Sequence, residues 1–311
     1  MAALRLGTRG SALALAQSTH VADRLSAALK TDVELVTVQT EGDRNMASLA
    51  SMGGTGVFAS ALREALLAGE CDLVVHSLKD LPTAPHPGLS IAAVPKRADA
   101  RDALVSRGDV PLAELPEGAR VGTGSPRRQA QLRSHRPDLE VVDIRGNVDT
   151  RLRKVSDGEL DAVVLAAAGL GRLGRSGVIT ELFSLSEWPT APGQGALAIE
   201  VREGDEKTVA KLDHKPTRLL VQAERAVLSG LEAGCAAPVG VTAELEDGLL
   251  FVSGRVYSLD GSQHLTASHA LYPEDSKDPA DELSTRIVDE LLAAGAADLA
   301  PLGGGPSGEP L

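Results

Sequence analysis

Apolar positions in this chain recur with two periods, which alternate through its first two thirds. In VELVTVQ, Val33–Gln39, polar residues separate the apolar ones except at Leu35-Val36, an alternation that marks a strand. From Ser11 to about Leu29 the apolar positions Leu13, Leu15, Val21 and Leu25 predict a helix. LRLG at Leu4–Gly7 reads as a short strand entering a glycine turn, Phe58–Ala68 as an amphipathic helix, and Leu73–His76 as a buried strand. A second cycle begins near Pro111. Arg120–Thr123 is again a strand into glycine, and Ser125-Pro126 supplies a favoured cap and first position for a helix. Glu140–Ile144 and Ala162–Ala166 are further strands.

The two cycles echo each other in letters as well as in period. RLGT at Arg5–Thr8 matches RVGT at Arg120–Thr123, and GECDLVV at Gly69–Val75 matches GELDAVV at Gly158–Val164. The spacings, 115 and 89 positions, exclude a simple tandem repeat. The pattern instead predicts two similar α/β domains with ligand at their strand ends. The last third changes character: a helix over Thr217–Leu231, three alternating strands with Asp247-Gly248 and Asp260-Gly261 at the turns, and a helix from about Ala280 to Ala293. This is an α+β domain, and the tail from Pro301 is expected to be disordered.

Composition narrows the classes. The chain has 311 residues, 43% hydrophobic and only 2% aromatic, so its cores must rest on Ala, Val and Leu. A net charge of −12 argues against a general nucleic-acid binder. The opening MAALRLGTRGSALALAQ carries no secretory pattern, and no run approaches the roughly 18 apolar residues of a membrane span. Two distant cysteines are expected to be reduced, and a cytoplasmic setting follows from both points.

Against that acidic background, Arg120–Lys154 holds nine basic and four acidic residues, a local charge of +5. Arg127 and Arg128 fall in the first turn of a helix, where the dipole disfavours cations by roughly 0.3–1 kcal/mol each. Free N–H groups and two guanidinium forks there suit a carboxylate or phosphate better than they suit stability. Arg9, just before the helix at Ser11, repeats the arrangement. HSLKDLP, His76–Pro82, follows a buried strand: Asp80 is a candidate general acid or stabiliser of a developing cation, and Lys79 a candidate for a Schiff base or an ion pair. The glycine stretches Gly53–Gly56 and Gly193–Gly195 complete no nucleotide fingerprint; the first reads as a flap, the second as a hinge or crossover. Seven scattered histidines show no metal-ligand spacing, so no metal is expected. Cys71 heads a buried strand and reads as structural; Cys235, in LEAGCAAPVG, is a nucleophile, an attachment point or a small core residue.

Taken in order, LGTRGSALALAQ, GGTGVF, HSLKDLPT, ADARDALV, VGTGSPRRQAQL, IRGNVDTRL, LAAAGLGRLG, PGQGALAIE and AERAVLSGLEAGCAAPVG resemble the porphobilinogen deaminase family, from about Leu4 to Ala293. The resemblance implies two α/β domains similar to periplasmic binding proteins and a smaller α+β C-terminal domain. Their expected limits are residues 1–95 with 196–212, then 96–195, then 213–299, with 300–311 as tail. It implies that Cys235 carries a dipyrromethane primer through a thioether, on which four porphobilinogen units are joined with loss of ammonia and then released as hydroxymethylbilane. Asp80 would be catalytic. Ser77, Lys79, Asp80, Thr123, Ser125, Arg127 and Arg128 would hold the cofactor. Arg9, Ser11, Phe58, Arg145, Arg151 and Arg172 would hold the substrate, a monomer being the expected state. Ser51 and Thr55 depart from the family, which often has lysine there. The rival readings are a non-catalytic two-lobed binder of a small anion and a Schiff-base enzyme using Lys79.

Overall fold

The computed structural model describes residues 3–38, 57–234 and 236–303. The chain separates into two compact units: Met1–Asp99 with Gly171–Leu173 and Gly193–Arg218, and Ala100–Leu170 with Gly174–Pro192 and Leu219–Leu311. Ser51, Thr55, the glycines at 53–56, Cys235 and the tail beyond residue 303 lie outside the described residues.

In the first unit, β1 (Leu4–Thr8), β2 (Val33–Thr37) and β3 (Leu73–Ser77) are parallel, with β1 in the middle. Two antiparallel strands complete the sheet: β10 (Leu197–Arg202), which arrives from far down the chain beside β3, and β4 (Leu89–Ala93) at the edge. Helix α1 (Ala12–Leu29) buries Val21 and Leu25 against Leu6, Leu73 and Ile199 on one face. Helix α2 (Val57–Leu67) buries Leu62 and Leu66 with Cys71 and Val74 on the other. Each such fully buried side chain contributes roughly 1.5–3 kcal/mol of burial, which is how a core nearly without aromatics closes.

The second unit repeats the plan. Strands β6 (Arg120–Gly122), β7 (Glu140–Val142) and β8 (Ala162–Ala166) are parallel with β6 central, and β5 (Asp102–Ser106) and β9 (Glu181–Leu182) run antiparallel beyond β8. The orders β2-β1-β3-β10-β4 and β7-β6-β8-β5-β9 are therefore one order written twice. Helices α3 (Pro126–His135) and α4 (Val148–Ser156) contribute Leu132 and Val155 to its two cores. In the same unit, α6 (Lys215–Gly230) and α7 (Pro279–Ala293) pack on a meander of β11 (Val239–Glu246), β12 (Leu249–Tyr257) and β13 (His264–Leu271).

The letter echo turns out to be a contact. In the first sheet the backbone N–H of Arg5 donates to Asp72 Oδ2 at 2.9 Å, and its guanidinium to the Glu70 carbonyl at 3.0 Å. In the second, Arg120 N–H donates to Asp161 Oδ2 at 2.9 Å and its guanidinium to the Glu159 carbonyl at 2.7 Å. Gly7 and Gly122 answer to each other too. A Cβ on Gly7 would lie 2.8 Å from Cys71 Sγ, and one on Gly122 2.6 Å from Leu160 Cδ1. The R-x-G-T strand and the G-E-x-D turn are thus two halves of one lock, and each half recurs because the other does.

Expected elements otherwise match within a few residues, with β7 ending at Val142 rather than Ile144. Strands β4, β5, β9 and β10 were not foreseen.

Candidate functional site

Strand β3 delivers Ser77 at its end, and one tight turn, Leu78–Asp80, follows. Leu78 is buried and anchors the turn: its N–H donates to the Ala196 carbonyl at 3.1 Å, and Leu81 N–H closes back on Leu78. Gly193, at a φ of 75°, lies over it; a Cβ there would sit 3.1 Å from Leu78 Cγ in a backbone region side chains rarely adopt. Lys79 Nζ donates to Gln194 Oε1 at 3.3 Å. The Gly193–Ala196 stretch therefore clamps the HSLKD turn before leading into β10. With its anchor buried, the turn presents Asp80 to solvent.

Asp80 lines a cavity of about 90 Å³ with Arg9, Ser11, Gln17, His76 and Ser77, floored by Leu13, Ala14, Leu62 and Val75. That is smaller than the 300–1,000 Å³ of a site enclosing a whole ligand. Ser11 caps α1 by accepting from Ala14 N–H at 3.3 Å. Gln17, not foreseen, donates to Ser77 Oγ at 2.9 Å and thereby fixes that hydroxyl. Its signal was a glutamine in the otherwise apolar run ALALAQ. The structure thus gathers Arg9, Ser11, Ser77 and Asp80 around one cavity. Phe58 stands in the first turn of α2, and its side chain is outside the described residues.

Behind the cavity runs a buried ionic chain. Glu200 on β10, 2% exposed, takes a two-pronged interaction from Arg63 (2.8 and 3.0 Å) and faces His76 Nε2 at 3.2 Å. Burial alone would push this carboxyl up, but hydrogen bonds and charge from His76 and Arg63 win and hold it down at about 2.

Among the predicted cations of the second unit, Arg127 and Arg128 require a correction. They stand in the first turn of α3 as expected, with Ser125 as cap, but both are buried. Their guanidinium groups converge on Asp102, at 2.9 and 2.6 Å, and Trp188 Nε1 donates to the same carboxylate at 3.0 Å. Arg127 also donates to Gln131 Oε1 and the Pro189 carbonyl, and Arg128 to the Val164 carbonyl. The dipole cost is at most about 1 kcal/mol each, whereas breaking the pairing would leave an uncompensated buried charge at about 3–5 kcal/mol, so the pairing decides where these side chains lie. These arginines hold β5 to α3. Two cations share one anion, and burial, reinforced by Arg128, pulls Arg127 below the ordinary arginine range.

Thr123, buried at the end of the β6 segment, accepts from Ser125 N–H at 3.3 Å. Arg145 is exposed and pairs with Asp143 at 3.3 Å. Arg151 donates to the Gly146 carbonyl; burial, then repulsion from Arg128 and Arg145, lowers its proton affinity. Arg172 closes α5 (Ala167–Arg172) and donates to the Gly195 carbonyl at 2.7 Å, and burial pushes it down to about 10. Among the described residues there is no helix long and apolar enough to cross a membrane, and no His/Cys/Asp/Glu group suited to a metal.

Two related α/β sheets, one of them carrying a polar cavity beside an exposed carboxylate, place the chain among two-sheet α/β proteins. The family model "porphobilinogen deaminase, dipyromethane cofactor binding domain" matches residues 4–210, and "porphobilinogen deaminase, C-terminal domain" matches 218–293. A porphobilinogen deaminase of Leifsonia xyli is 63% identical, over 97% of this chain and 95% of that one. Porphobilinogen deaminase 1 of Streptomyces coelicolor is 51% identical, over 96% and 97%. Among solved structures, the methionine-binding protein MetQ aligns at 13% identity and a TM-score of 0.44, covering 71% of this chain and 91% of that one. The chain belongs to the porphobilinogen deaminase family, a family of transferases of porphyrin biosynthesis whose substrate is porphobilinogen.

Proposed function

We propose that the cavity at Asp80 is where porphobilinogen loses ammonia and is joined to a growing chain, four units in all before hydrolysis releases hydroxymethylbilane. The observation that carries this reading is the exposed Asp80 carboxylate set beside Arg9, Ser11, Gln17, His76 and Ser77 in one cavity.

A pyrrole cofactor bearing acetate and propionate groups fits these residues. Arg172 and Arg151 are both held in surroundings that disfavour their charge, which is the state an incoming carboxylate relieves. Cys235 would hold the dipyrromethane through its sulfur, within the α+β segment 213–299, and Ser77, Lys79, Thr123, Ser125, Arg127 and Arg128 would support it. For Arg127 and Arg128 that role is shared with Asp102, so they are not two free charges. When bound, the cofactor supplies the pyrrole carbon from which the product grows.

Asp80 does the work of charge. As the amine departs, positive charge spreads over the ring, and a carboxylate held near the ring N–H lowers the energy of that state. Arg9, Ser11, Arg145, Arg151 and Arg172 hold the acetate and propionate groups, and Phe58 lies against the rings. The enzyme acts as a monomer in the cytoplasm.

Intact mass and turnover test the assignment. A covalent addition of two pyrrole units should be present and vanish in Cys235→Ala. Asp80→Asn should keep the addition and the fold while losing elongation. An unmodified, fully active chain would refute the role of Cys235, and near-normal turnover in Asp80→Asn would refute that of Asp80. A purely binding protein for a small anion would show neither the addition nor turnover.

A further inference from the structure

The Arg63–Glu200–His76 chain has no part in the roles above, although one end of it forms the cavity wall. His76 lies opposite Ala198 in the β3–β10 ladder, and Glu200 opposite Val74, so the two side chains are diagonal neighbours on one face. Arg63 reaches the same face from α2, the helix that also supplies Ala59 and Leu62 to the cavity. The three groups are buried and adjoin the site: His76 itself lines the cavity with Asp80, Ser77 and Arg9.

A buried Arg–Glu pair is a poor device for stability, because desolvation consumes most of its Coulombic gain. Its geometric effect is larger. The Glu200 carboxylate faces His76 Nε2 at 3.2 Å and is itself fixed by Arg63 through three contacts between 2.8 and 3.2 Å. That arrangement sets an anchored carboxylate against one nitrogen of the buried imidazole, the placement that a carboxylate partner takes beside a functional histidine elsewhere.

We propose that Glu200 is a positioning residue of the reaction: held by Arg63, it fixes the His76 ring in the wall of the Asp80 cavity and so sets the arrangement of Ser77 and Asp80 around the reacting ring. The chain of effect is short, since Ser77 and Asp80 follow His76 within four residues on a strand end whose turn is clamped. Partner geometry at the ring, not substrate affinity, is what Glu200 controls. The loss should therefore fall on kcat.

The inference rests on Asp80 marking the reacting centre, so Asp80→Asn is run alongside. Glu200→Gln keeps size but leaves one acceptor oxygen in place of two and removes the charge. Per unit of cofactor-loaded, folded enzyme, its kcat should fall about tenfold with KM within twofold of the parent. Arg63→Lys should lose about threefold, and Glu200→Asp should recover at least half the loss in Glu200→Gln. Unchanged kcat in folded Glu200→Gln would overturn the proposal, as would a rise in KM alone. If Glu200→Gln does not fold, His76→Asn takes its place with the same expected split, and unchanged kcat there overturns the proposal equally. An inactive Asp80→Asn with a normal Glu200→Gln would sink this inference while leaving the site intact; a fully active Asp80→Asn would sink the site itself.

Discussion

Asp102→Asn isolates the shared carboxylate between Arg127 and Arg128. Asparagine matches the size of aspartate but has one acceptor oxygen where aspartate has two, so the substitution removes the charge and one acceptor. Asp102 is fully buried, and without it two guanidinium groups remain inside the protein with no anion between them. Removing one member of a buried pair costs about 3–5 kcal/mol. At a denaturant slope of about 3 kcal/mol per molar urea, that lowers the unfolding midpoint by more than 1 M. Trp188 is the single tryptophan of the chain and touches this carboxylate, so its fluorescence reports the right unit. The count of charges makes a sharper forecast. Arg128→Met leaves one cation facing one anion, so it should cost less than Asp102→Asn despite deleting more atoms. If Arg128→Met proves the more damaging, or if Asp102→Asn unfolds within 0.3 M of the parent, the electrostatic account of this cluster is wrong.

Acid sensitivity follows from Glu200, whose carboxyl sits at about 2 in the fold against an ordinary 4.5. Because the folded value is the lower, its contribution is complete above about pH 4.5 and is lost as pH falls toward 2; at about 1.4 kcal/mol per pH unit it amounts to roughly 3 kcal/mol. Glu200→Gln should flatten that part of a stability–pH curve, and an unchanged slope would count against the pairing. Gly7→Ala should destabilise by about 1–3 kcal/mol through overpacking, and Cys71→Ala should restore part of that, since the new methyl would meet Cys71 Sγ first; additive losses would contradict the contact. Arg172→Gln should raise KM several-fold while leaving the melting temperature unchanged or higher, because burial already disfavours its charge. A fall of several degrees would assign it a structural role instead.

Periods and caps made the first strands and helices legible, because a glycine turn and a serine cap are local facts: Ser11 and Ser125 both sit where the letters put them. Charge inside the sheets was not legible. Asp102 reads as a surface residue until its partners, a cycle further along, are known, and it conceals β5 for that reason. Glu200 interrupts LAIEVR in the same way, and its countercharge, Arg63, lies 137 positions away. Arg127 and Arg128 were misread from the helix dipole, a local effect smaller than the distant pairing that decides their burial. The motif HSLKD located Asp80, but only the fold brings Arg9, Ser11 and Gln17 to it.

The lock between R-x-G-T and G-E-x-D has a chemical by-product. Cys71 occupies in one sheet the slot that Leu160 fills in the other, so its sulfur serves as bulk. It is closed to solvent, and burial raises its thiol further from ionisation. The chain has only two cysteines. A thiol reagent applied to the native protein should therefore leave Cys71 untouched, so that any thiol it registers is that of Cys235. On the proposed attachment at Cys235, colorimetric titration without unfolding then counts the molecules still without primer.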